Sequence, residues 1–304
     1  MASSLQVMLG GKEGAVEARR RHRAALLGSL AVLPLVVAAP RTQVSPPSSP
    51  MTRAEREEFL LKAAIVSEPR LAPGVRRVSL ADGQREHDAS LETSTSDDPS
   101  RWGYRSNVAA YELDKALDLD LVSPSVERTV NGRSAALTWW VDDVLMDELS
   151  RRRRGIAPPD LERWTQQMQA VRVFDELIAN AYRSMSPASY TSTLWDNLLI
   201  TREWEIRLID HVRAFGTSRQ LAYPESLTRC DRALLAGLRA LNPAASKRRL
   251  GGLLSPEQLD ALETRRSLIV GHFDGLIGRQ GDGAVLYDLR RSQSRGTPGQ
   301  LQPR

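Results

Sequence analysis

The chain has 304 residues, of which 41% are hydrophobic and 26% charged, a composition typical of a globular protein. Its single cysteine, Cys230, excludes an internal disulfide framework and a cysteine-based structural zinc site. The net charge is +5, and residues 1–40 alone account for +3 of it. Because the rest of the chain is close to neutral, the sequence predicts no broad nucleic-acid-binding surface and no nucleic-acid partner.

The N-terminal segment has the pattern of a targeting signal. A basic run at 19–23 precedes residues 24–39, which carry no charge and end in small side chains. This order is typical of a secretory signal or a membrane anchor, although the apolar stretch is short for a bilayer and contains Pro34. We therefore expect residues 1–40 to be a signal peptide or anchor. The protein would then be extracytoplasmic, periplasmic or membrane-anchored; a misassigned start codon would instead leave it cytoplasmic.

A Pro/Ser linker over 41–50 leads into the first half of the folded chain. Hydrophobic periodicity and turn residues predict, in order, a helix after Thr52, a hairpin of Val75–Leu80 with Arg85–Leu91, a helix over Arg105–Leu117 and a hairpin of Ser125–Val130 with Ala135–Val141. These elements predict a small antiparallel sheet with one helix inserted between its two hairpins, which we assign to residues 51–145.

The second half, 146–280, reads as mainly helical. The predicted elements are a long helix from Asp160 to Ile178, two short strands at Leu198–Thr201 and Glu205–Ile209, and helices at Leu227–Leu241 and Pro256–Ile277. The composition of 281–304 predicts a mostly disordered tail. A sheet lobe followed by a helical lobe with a two-stranded insert predicts an α+β, two-lobed, protein-kinase-like fold.

Two polar residues flank the predicted insert. Asn197 precedes its first strand and Asp210 follows its second, 13 residues later. A single hairpin would bring both side chains to one end of the sheet, where their oxygens suit Mg²⁺ or Mn²⁺ bridging nucleotide phosphates. These residues are the predicted metal ligands. The alternative role for Asp210 is to cap the strand, and the alternative role for Asn197 is to form a turn.

The segments NVAAYELDKAL, LVSPSVERTV, LTWWVDDVLM, VFDELIAN, DNLLI and LIDHVRAF resemble a bacterial, often exported, uncharacterised family. The resemblance extends over roughly residues 58–241. The core of that family is similar to phosphatidylinositol 3-/4-kinases, HipA-type kinases and secretory-pathway kinases. The resemblance implies ATP as cofactor and transfer of a phosphoryl group to a hydroxyl.

Two departures from the family pattern bear on catalysis. Tyr182 stands where the catalytic loop of the family carries an Asp, and a tyrosine is a poor base at neutral pH. Asp196 is a candidate substitute if the long loop before it folds back. The chain also lacks a lysine in the hairpin 75–91, where a kinase-like lobe places its nucleotide lysine.

Without that lysine, the candidate nucleotide-binding residues are residues of other types. Arg85 and His87 supply the polar groups of that hairpin, Glu112 is a candidate partner for such a cation, and Gly74 is a candidate for lining the nucleotide. The sequence leaves three functions open. The first is a kinase that acts on a protein, lipid or small molecule. The second is a catalytically inactive pseudokinase used for binding or scaffolding, and the third is a structural envelope protein without a ligand.

Overall fold

The computed structural model describes residues 51–67, 75–93, 103–180 and 193–289. Its first part, the sheet lobe, contains α1 (Arg53–Lys62), β1 (Ala64–Ser67), β2 (Val75–Ala81), β3 (Glu86–Thr93), α2 (Arg105–Leu117), β4 (Ser125–Val130) and β5 (Arg133–Trp139). The five strands form one antiparallel sheet in the order β1-β2-β3-β5-β4, with α2 inserted along the chain between β3 and β4. The two predicted hairpins and the helix between them are confirmed.

The two faces of this sheet differ because side chains alternate along each strand. Val78, Leu80, Ala89, Leu91 and Leu137 point to the outer face, where they pack in one buried cluster with Phe59 and Leu60 of α1. A capping box between Thr52 and Glu55 begins α1. The opposite face, called the cleft face below, carries the polar set Arg77, Ser79, Asp88, Ser90, Glu92 and Thr138.

The helical lobe follows β5. Its elements are β6 (Val144–Asp147), α3 (Glu148–Arg153), α4 (Leu161–Leu177), β7 (Leu198–Thr201), β8 (Ile206–Leu208), β9 (Cys230–Asp231), α5 (Arg232–Ala240), α6 (Pro243–Leu250), α7 (Pro256–Gln280), α8 (Asp282–Val285) and β10 (Leu286–Tyr287), with 3₁₀ turns at Thr193–Asn197 and Pro224–Ser226. Buried side chains of α4 form the centre of its core, and α2 packs against the same core. The predicted α+β architecture, a small antiparallel sheet followed by a mainly helical part, is confirmed.

Two sequence predictions in the helical lobe need correction. The helix predicted from Leu227 begins only at Arg232, because Asp231 accepts a hydrogen bond from the Leu234 amide and caps the helix there. Cys230 and Asp231 instead form β9, which pairs in parallel with β10. The start of the predicted disordered tail is therefore structured: Val285, Leu286 and Tyr287 are buried, and burial raises the pKa of Tyr287.

Several predictions fall outside the described residues. They include the targeting segment 24–39, the linker 41–50, Gly74, Tyr182 and the tail from residue 290. Among the described residues, every helix is too short or too polar to span a membrane.

Candidate functional site

Asn197 and Asp210 meet at one end of the β7–β8 hairpin. Leu198 pairs with Leu208, and the Ile209 amide donates to the Asn197 carbonyl at 3.1 Å, so the pairing continues past both strands. The Asn197 Nδ2 group donates to Asp210 Oδ2 at 3.2 Å. Asn197 is buried, whereas Asp210 is half-buried. The predicted convergence of these two side chains is present in the structure.

The backbone at Asp210 adopts the left-handed conformation, with φ of 57°. Aspartate tolerates the left-handed region better than most residues, but this conformation still costs about 1–3 kcal/mol. Contacts with the surrounding structure must offset that cost. The next residue is fixed from the sheet lobe, because the His211 amide donates to Asn107 Oδ1 of α2 at 2.7 Å. The His211 ring lies edge-on to Phe174 of α4 at 6.5 Å between centroids. Contacts from both lobes therefore hold Asp210 in this conformation.

The segment after Asp210 is anchored by a buried arginine. Arg265 of α7 is fully buried and donates to the carbonyl oxygens of Leu177 at 2.9 Å, Gly216 at 3.1 Å and Ser218. Burial lowers the pKa of Arg265 to about 10, and the charge of Glu176 partly offsets that effect. This guanidinium ties the end of α4 to the chain that follows the site.

Glu92 of β3 is the main functional residue that sequence reasoning missed. Its Oε2 accepts a 2.6 Å hydrogen bond from Asn107 Nδ2, so Asn107 links β3 to the chain just after Asp210. Burial raises the pKa of Glu92 to about 8, and the charge of Asp210 adds to the rise. Glu92 and Asn107 therefore form a buried acid–amide pair between β3 and α2.

A second polar group lies on the cleft face, toward the connection between the lobes. Arg77 Nε donates to Asp88 Oδ2 at 2.7 Å, and Ser79 Oγ donates to Asp88 Oδ1 at 2.7 Å. The Arg77 guanidinium carbon lies 4.4 Å from the centroid of the Trp140 ring, a cation–π distance. Trp140 directly follows β5, and its amide donates to the Asp88 carbonyl at 3.2 Å.

The structure places Arg85 and His87 on the other side of the sheet. His87 pairs across the strands with Leu80, whose side chain lies in the outer cluster. Its ring stacks on Trp139 at 3.6 Å, and its Nε2 lies 2.6 Å from Asp142 Oδ2. Both residues line a cavity of about 660 Å³ between α1, the lobe connection and the β7–β8 hairpin.

Glu112 lies apart from that cavity. It accepts hydrogen bonds from Lys115 at 2.8 Å and from Arg249 of α6 at 3.0 Å, so α6 and not Arg85 supplies its long-range partner. Asp196 is buried in the 3₁₀ turn beside Asn197. Of the predicted residues within the described ranges, the structure thus brings together Asn197, Asp210 and their neighbour Asp196.

Within the described residues, no group of three or more His, Cys, Asp or Glu side chains is arranged to hold a metal ion. The Asn197 and Asp210 side chains carry oxygen atoms, the type of ligand that Mg²⁺ prefers.

No family model and no curated protein matches the chain. Among solved structures, a crystal structure of a Helicobacter pylori proinflammatory kinase, CtkA, is similar to it with a TM-score of 0.42 and 12% sequence identity. The match covers 70% of this chain and 96% of the other.

Proposed function

We propose that this kinase-like protein binds ATP together with Mg²⁺ or Mn²⁺ between its lobes, and that its phosphoryl-transfer activity is weak or lost. The observation that carries the proposal is the pairing of Asn197 with Asp210 at the end of the β7–β8 hairpin. In kinases an asparagine and an aspartate hold the metal ions that bridge the nucleotide phosphates. The bound metal supplies charge neutralisation to those phosphates.

Two substitutions support impaired activity. Tyr182 stands where the resemblance places the catalytic Asp, and loss of general-base assistance lowers a rate by roughly 10²–10⁴. Glu92 and Asn107 stand where a kinase carries its lysine–glutamate pair. Unlike that lysine, Glu92 offers no positive charge to a phosphate in this position. If residual activity exists, the acceptor is a hydroxyl of a protein, lipid or small molecule.

The second candidate is an inactive pseudokinase that serves as a binding or scaffold protein. The hydrogen-bonded chain from Glu92 through Asn107 to the His211 amide favours it, because this chain joins the lobes without any ligand. An extracytoplasmic location, with attachment through residues 24–39, belongs to this proposal as well.

Thermal unfolding of the full chain with and without ATP and Mg²⁺ or Mn²⁺ tests the proposal. A ligand at 100 times its dissociation constant stabilises by about 2.7 kcal/mol, which corresponds to roughly 5–10 °C for a domain of this size. Asp210→Asn should abolish the shift. Asp260→Asn, which changes an exposed ion pair with Arg219, should preserve it. A wild-type protein with no shift at millimolar nucleotide would overturn nucleotide binding and leave the second candidate.

A further inference from the structure

The described residues of strands β2 to β5 place one cation on the cleft face. Of the Arg and Lys residues on β2 to β5 as the structure describes them, only Arg77 lies on the cleft face. Arg76 pairs with Leu91 on the outer face, and Arg128 donates to the Leu60 and Ala63 carbonyls of α1 and its end. An anionic ligand entering between the lobes would therefore meet Arg77 as the positive charge of the sheet.

The position of Arg77 suits a phosphate chain. Arg77 pairs with Ser90, two residues before Glu92 on the neighbouring strand. Strand geometry puts the backbone of Arg77 about 8 Å from that of Glu92, since two residues span about 6.7 Å and adjacent strands lie about 4.8 Å apart. A di- or triphosphate bound to a metal at Asp210 would thus extend along the cleft face toward Arg77.

Neighbouring side chains hold the Arg77 guanidinium, and part of it stays exposed for a phosphate contact. Its Nε and one terminal nitrogen face Asp88, its central carbon lies 4.4 Å from the centroid of the Trp140 ring, and about a third of the side chain is exposed. Arginine has five N–H donors in a fixed fork, so it can hold a carboxylate and still offer an edge to a phosphate. Asp88 and Ser79 hold the fork in place when no ligand is bound.

We propose that Arg77, and not Arg85, is the phosphate-binding cation of the cleft, and that Asp88 is its partner in the unliganded state. This inference rests on the proposed function. The charge that kinases carry on β3 would then come from β2, on the same face of the sheet. Asp88 competes with phosphate for the guanidinium, so it sets how tightly the cleft holds an anion.

Calorimetric titration of the full chain with Mg·ATP, Mg·tripolyphosphate and adenosine tests this assignment. Arg77→Gln should weaken ATP and tripolyphosphate binding about tenfold or more and leave adenosine binding unchanged. Arg76→Gln is the matched control, because it is the adjacent arginine on the outer face, and it should retain affinity within about twofold. Asp88→Asn, which keeps Arg77 in place, should strengthen binding of both phosphates severalfold.

The outcomes separate the two proposals. A wild-type protein that binds Mg·ATP while Arg77→Gln behaves like Arg76→Gln would overturn the role of Arg77 and leave the proposed function intact. Equal losses for ATP and adenosine would also overturn it, since they would place Arg77 at the base. A wild-type protein that binds none of the three probes would overturn the proposed function and this assignment together.

Discussion

The two sides of the lobe interface differ in the kind of polar group they contribute. The helical lobe contributes Asn197 and Asp210, an oxygen-donor pair suited to a divalent cation. The sheet lobe contributes Glu92 with Asn107, a buried acid–amide pair. Each side should therefore respond differently to substitution.

The largest expected effect concerns the anchoring of the helical side. Arg265→Met should destabilise the protein by about 3 kcal/mol or more, because the buried Leu177 carbonyl and the part-buried Gly216 and Ser218 carbonyls lose a charged donor. Arg266→Met is the matched control on the next residue; its main partner Glu263 lies one turn away on the same helix, so a loss near 1 kcal/mol is expected. Denaturant unfolding measures both. Equal losses would show that Arg265 does not specifically anchor the segment after Asp210.

On the sheet side, a substitution at Glu92 should increase the affinity for Mg·ATP. Glu92→Lys places a cation on β3 beside Asp210, and we expect Mg·ATP affinity to rise about tenfold, an effect of about 1.4 kcal/mol. Glu92→Gln replaces a largely protonated acid by a neutral amide and adds no positive charge, so its gain should be smaller. Titration calorimetry measures the difference. If Lys and Gln gave the same affinity, the missing cation would not be what limits phosphate binding on this side.

Glu92 also predicts a pH dependence of the free energy of unfolding. Its pKa is raised from 4.5 to about 8 in the folded state, so the folded protein retains a proton that the unfolded chain releases. The stability that it contributes is complete below about pH 4.5 and is lost as the pH rises toward 8, at no more than about 1.4 kcal/mol per pH unit. Asp114, whose pKa burial raises to about 7, adds a slope of the same sign.

The difference between wild type and Glu92→Gln isolates the Glu92 contribution from that of Asp114. Unfolding free energies measured from pH 5 to 8 should fall less steeply in the variant. Parallel profiles would mean that Glu92 is already ionised in the folded protein.

The sequence was sufficient for the parts of the site that depend on local pairing. The spacing of Asn197 and Asp210 fits one hairpin, and register then forces the two side chains together. Glu92 was missed because the predicted strand ended at Leu91, whereas β3 continues to Thr93. The alternation of Val78 and Leu80 predicts that Arg77 lies on the opposite face, whereas the predicted nucleotide-binding arginine is Arg85. The pairing of β9 with β10 joins two-residue segments far apart in the chain, and local patterns do not encode it.

The smallest expected effects concern Arg85 and Glu112, two predicted nucleotide-binding residues that lie away from the cleft face. Arg85→Ala and Glu112→Ala should each leave Mg·ATP affinity within about twofold of wild type and stability within about 0.5 kcal/mol. Arg85 lines the cavity on the α1 side, and Glu112 pairs with Lys115 and Arg249. Neither contacts the Asn197–Asp210 pair or the cleft face. A tenfold loss of affinity in Arg85→Ala would require the ligand to reach around the edge of the sheet, and the phosphate contact would then lie at Arg85 and not at Arg77.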